Sequence, residues 1–73
     1  MEITSNQIER VRRDWLTIAG EQIEVTFISG TFFAYGSELA MLRLLKAYRQ
    51  NKSAHQSYSS NASKFYFSLD MPA

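Results

Sequence analysis

The chain has 73 residues, with 8 Lys+Arg against 7 Asp+Glu and a formal net charge of +1. Its 45% apolar and 21% charged residues are the composition of a globular protein, not of a disordered tail. It has no cysteine and one histidine, His55, which excludes a disulfide framework, a thiol nucleophile, Cys-ligated metal centres and a multi-histidine metal site within one chain.

No apolar run approaches the roughly 18 residues that span a bilayer. The opening residues 1–7 lack the basic start and apolar stretch of a secretion leader. The chain therefore reads as one small cytoplasmic domain over residues 1–73. A domain this short buries only about 60% of the surface its unfolded chain exposes. Its core supplies about 3–5 kcal/mol net. With neither disulfide nor metal, oligomerisation is the remaining common source of stability, so a homodimer is expected.

The first element is a helix over about residues 5–19. Thr4 is a good N-cap, and Gln7 three residues later completes a capping box. Ile3 and Ile8 are placed to form a hydrophobic staple across the cap. Ile8, Val11, Trp15 and Ile18 form one stripe of a 3.6-residue period, and Gly20 suits the position after the helix. Residues 21–28 then switch to period two. Ser29-Gly30 fits a two-residue hairpin turn, and residues 31–35 form the return strand. The implied register pairs Ile28 with Thr31, Phe27 with Phe32, Thr26 with Phe33, Val25 with Ala34 and Glu24 with Tyr35. Phe27, Phe32, Val25 and Ala34 then share one face, as a core-facing hairpin requires.

Ser37 caps a second helix over about residues 38–50, with Met41, Leu44, Leu45 and Tyr48 toward the core. Residues 51–63 are polar, serine-rich and without periodicity, which predicts a long mobile loop. Residues 64–70 alternate again, with Phe65, Phe67 and Leu69 on one face and Tyr66 and Ser68 on the other. The element order is therefore α-β-β-α-β. It predicts an α+β two-layer sandwich: a three-stranded antiparallel sheet in the order 2-1-3, with both helices on one face.

Catalytic signatures are weak. His55 falls in the polar stretch, and no nucleophile elbow is present. The path from Gly30 to Ser37 resembles a phosphate loop only faintly. No lysine follows Gly36, and Glu38 already complements the helix dipole. The acidic residues form no pair on a cleft-like surface, and Glu9–Arg13 and Arg10–Asp14 are ordinary i, i+4 helix pairs. No catalytic residue, metal site or cofactor is predicted, and the chain reads as a non-enzyme.

Charge is uneven along the chain. Residues 1–38 hold three basic and six acidic residues, a net of −3, whereas residues 39–73 hold five basic and one acidic, a net of +4. The basic set is Arg43, Lys46, Arg49, Lys52 and Lys64. Cations near a helix C-terminus complement its dipole, which accounts for Lys46 and Arg49 without function. The functional reading of the set is a basic surface for phosphate, nucleic acid or an acidic protein.

Two apolar features lie outside the predicted core. Leu16 sits apart from the stripe of the first helix, and Leu39 and Leu42 sit on the charged side of the second. Ile28, Phe33, Tyr35 and Tyr66 share the outer sheet face, where a contiguous patch forms a protein interface or a stacking platform for bases. A plainer reading covers that patch with the 51–63 segment or with Tyr58.

The expected function is a small non-enzymatic protein–protein interaction module, an inhibitor or adaptor of the kind that phages and plasmids often encode, working as a homodimer. Its interface residues are Ile28, Phe33, Tyr35, Tyr66, Leu39 and Leu42. The alternative is a binder of single-stranded nucleic acid or a phosphorylated small ligand, through the basic half and the aromatic face.

Overall fold

The computed structural model describes residues 3–71. Helix α1 runs Ser5–Ala19 from the predicted capping box: the Gln7 backbone N–H donates to Thr4 Oγ1, and the Thr4 backbone N–H donates to Gln7 Oε1. Gly20 ends the helix in a left-handed conformation, φ 73°. Strands β1 (Glu24–Ile28) and β2 (Thr31–Gly36) form the hairpin in the predicted register, from Glu24↔Tyr35 to Ile28↔Thr31. Ser29 and Gly30 both have positive φ, the geometry a two-residue primed turn requires. Helix α2 is Glu38–Ala47, shorter than the predicted 38–50, and its N-cap Ser37 accepts from the Ala40 N–H.

The predicted 51–63 loop is instead mostly structure. Ala54–Ser59 is a strand, β3, and it forms a hairpin with β4 (Lys64–Asp70). The sheet therefore has four strands, not three, in the order β1-β2-β4-β3, all neighbours antiparallel. This corrects the predicted order 2-1-3. The crossover rule is satisfied, but by a different strand: β3, reached through α2, lies parallel to β2, and β4 returns to fill the gap between them. The unit is a split β-α-β. The α+β class, with two helices and an antiparallel sheet, stands.

The core lies between the helices and the inner sheet face. Trp15 is fully buried, with its ring 5.7 Å from Phe32 and 5.2 Å from Phe67. Its indole Nε1–H donates to the Tyr48 hydroxyl at 2.9 Å, so the one polar atom of the ring leaves no orphan donor. Ala34, Ala40, Met41, Leu44 and Leu69 complete the layer. Ile8 packs against it from α1 and Ile3 from just before the helix, and Leu16, expected outside the core, also packs against it. At Gly36 an added Cβ would stand 3.1 Å from Ile23 Cγ2 and 3.3 Å from Met41 Cε, so the absence of a side chain lets the β1 approach and α2 close over the end of β2. No helix among the described residues is long and apolar enough to cross a membrane.

Candidate functional site

Alternation along the strands sorts the residues onto two faces. The register then places Glu24, Tyr35, Tyr66 and Ser57 in one row across the outer face, and Thr26, Phe33, Ser68 and His55 in the next. Phe33 and Tyr35 come from β2 and Tyr66 from β4, the two central strands. Their rings form one cluster, with centroids 6.4 Å apart for Phe33–Tyr66 and 5.9 Å for Tyr35–Tyr66. All three are half-buried although both helices pack on the opposite face. The shielding comes sideways, from one ring to the next. Ile28 belongs to the same face at the hairpin end and is exposed.

The two features expected to cover this patch do not. Residues 54–59 extend the sheet at its edge instead of crossing its face. Tyr58 stands opposite Phe65 on the inner side, with ring centroids 4.8 Å apart. Beside Tyr35 opens a shallow cleft of about 330 Å³, lined by Gln22, Ile23, Glu24, Tyr35, Gly36 and Lys64. It continues the aromatic row toward the start of β1.

The predicted interface set is divided. Ile28, Phe33, Tyr35 and Tyr66 share the outer sheet face, whereas Leu39 and Leu42 are exposed on α2, in the other layer. The basic set is dispersed as well. Arg43 Nη1 donates to the Ala19 carbonyl at 2.7 Å and ties α2 to the end of α1. Lys46, Arg49 and Lys52 follow the C-terminal end of α2, which lies toward the Leu69 end of β4, where β3 begins. Lys64 starts β4 at the other end, its Nζ 3.7 Å from Glu24 Oε1.

His55 is a strand residue on the outer face opposite Ser68, not a loop residue. A polar sequence with no apolar alternation hid that position. Among the described residues no group of three or more His, Cys, Asp or Glu is arranged to hold a metal ion. The clearest charge perturbation is remote from the site: the Arg12 guanidinium holds the Glu9 carboxyl below its ordinary range, and Glu9 in turn raises Arg12, across a 2.6 Å ion pair on the exposed side of α1. No protein-family model, curated protein or solved structure matches the chain.

Proposed function

We propose that the chain is a small non-enzymatic protein-binding module, an inhibitor or adaptor that works as a homodimer and seats its partner on the outer sheet face. The observation that carries this reading is the Phe33–Tyr35–Tyr66 cluster on the two central strands, with no helix above it. Aromatic side chains are the usual anchors of protein interfaces. Here they are already held by their neighbours, so little side-chain freedom is lost on binding. Thr26, Ser57, Ser68 and His55 supply a hydrogen-bonding rim around them. The matching partner is a protein that presents an apolar knob ringed by amide or hydroxyl groups. Single-stranded nucleic acid needs cations beside the stacking rings. Of the basic set only Lys64 borders this face, and Glu24 stands 3.7 Å from it, so that reading ranks second.

The test compares the wild type with Phe33→Ala and Tyr35→Ala. A protein that host extract yields to the wild type and not to the double variant is identified by mass spectrometry, and its affinity is then measured with purified components. Each truncation is expected to weaken binding by about 1 kcal/mol or more, with little change in melting temperature. Binding that falls only in step with stability would move the site to the basic residues, with Arg43 and Lys46 the next to mutate. Affinity that declines steeply with salt would favour a phosphate-bearing ligand.

A further inference from the structure

We infer that the free edge of β3 is the seam of the homodimer, where a second copy of the chain adds its own β3 antiparallel about Ser57 to give a continuous eight-stranded sheet. The inference rests on the homodimeric part of the function proposed above, and it names the strand edge that bounds the aromatic face at Ser57.

The backbone directions follow from one hydrogen bond. The Met71 N–H donates to the Gly30 carbonyl at 2.9 Å, continuing the β2–β4 ladder past its last pair. Antiparallel ladders alternate, so Leu69, Phe67 and Phe65 also turn their backbone groups to β2. Asp70, Ser68, Tyr66 and Lys64 then turn theirs to β3. The Asp70 carbonyl agrees, since it accepts from Ser53 Oγ on that side. The β3 partners of this second set are His55, Ser57 and Ser59. Ala54, Gln56 and Tyr58 therefore direct their N–H and C=O groups away from the sheet. The Ala54 N–H is taken by the Asn51 carbonyl, but β3 is the last strand of the sheet, and among the described residues no further strand reaches Gln56 or Tyr58.

Edge strands are normally protected by lysine, proline, a bulge or a cover. Ala54–Ser59 pairs with β4 without a bulge, contains no proline and carries no carboxylate, lysine or arginine. An isologous pairing needs a strand that tolerates its own image. Centred on Ser57, it sets Gln56 opposite Tyr58 of the second copy and the reverse, and it sets Ser57 against Ser57. Nothing in that row repels itself. The exposed apolar group nearest the seam also fits. Tyr58 is 54% exposed on the helix side of β3. The other edge is less suited: β1 begins at the charged Glu24, whose carboxylate lies 3.7 Å from Lys64 Nζ. A six-residue seam is short, so the dimer belongs to the weak end of stable association, with a micromolar dissociation constant.

The experiment measures sedimentation of the full chain across a concentration series, together with amide exchange of Gln56 and Tyr58. The wild type is expected to dimerise at micromolar concentration, with both amides slowing as dimer forms. Ser57→Lys sets like charges face to face and should raise the dissociation constant at least about tenfold. Ser57→Glu should do the same. An equimolar mixture of the two variants should recover the dimer, because the charges then oppose. Gln56→Pro removes an outward N–H, leaves the β4 ladder intact and should give a folded monomer. A wild type that stays monomeric to about 100 μM, far above the micromolar range in question, would overturn both the homodimer and its seam. A dimer indifferent to Ser57→Lys and Gln56→Pro would overturn the seam alone, as would fast exchange at Gln56 and Tyr58 in the dimer. Binding of a partner protein to Phe33 and Tyr35 is read separately in Gln56→Pro, whose position faces away from the Ser57 rim, and survives either result.

Discussion

Phe32 and Phe33 are neighbours on one strand, and they live in different environments. Phe32 is fully buried beneath the helices, against Trp15 and Phe27. Phe33 faces outward and is screened only by Tyr66 and adjoining residues of the sheet. The same chemistry thus serves two purposes one residue apart. Inside, a ring is worth the water it loses under a second layer, about 1.5–3 kcal/mol. Outside, a ring gains only its cross-strand pair, about 0.2–1 kcal/mol. The outer cluster therefore contributes little to holding the fold.

Substitutions on the two sides should separate sharply. Trp15→Ala removes the ring that touches Phe32, Phe67 and Tyr48 at once. It is expected to cost about 3–5 kcal/mol, comparable to the whole stability of so small a domain. Loss of the cooperative transition in a thermal melt followed by circular dichroism would show it; an unchanged melting temperature would mean that α1 is not the lid of the core. Tyr48→Phe keeps the packing but leaves the buried Trp15 N–H without its acceptor, and a urea titration should register about 1–3 kcal/mol. On the outer side, Phe33→Ala should cost no more than about 1 kcal/mol by the same titration. A cost equal to that of Phe32→Ala would erase the distinction between the faces.

The smallest effect belongs to the helix surface. Arg12 depresses the Glu9 carboxyl in the folded chain, so the pair stabilises above the unfolded-state pKa of Glu9 and is lost as pH falls through the lower folded value. Both side chains are solvent-exposed, so the pair is worth little. Glu9→Gln should leave the melting temperature at neutral pH unchanged within error, and the acid limb of a stability profile should hardly move.

Where apolar periodicity exists, the elements were legible in the residues. The Thr4–Gln7 box and the Trp15 stripe define α1, and the alternation of residues 23–35 gives the hairpin register pair by pair. The grouping of Phe33, Tyr35 and Tyr66 on one face followed from the same alternation, and the β2–β4 pairing brings their rings together. Strand β3 was not legible, for a physical reason. At the sheet edge its inner row is Ala54, Gln56 and Tyr58, of which only alanine is both apolar and partly covered. An edge strand that buries so little needs no apolar row, so it reads as a loop. That single omission also displaced the last strand from beside β2 to beside β1. The scatter of the basic residues was equally hidden, because Lys64 is separated from the others by the length of a hairpin that the pattern does not reveal.

Of the four described strands, the last to be made is a central one. While the chain is being synthesised, the β1–β2 hairpin, α2 and β3 all leave the ribosome before Lys64–Asp70, yet β3 bonds to no strand except β4. Until Lys64–Asp70 emerges, β3 lacks the strand it pairs with, β2 is paired on one side only, and Trp15 lacks Phe67 as its floor. Folding of the sheet thus waits for Lys64–Asp70, and a nascent chain stopped short of Lys64 offers cellular proteases a hairpin and an unseated helix in place of a finished core.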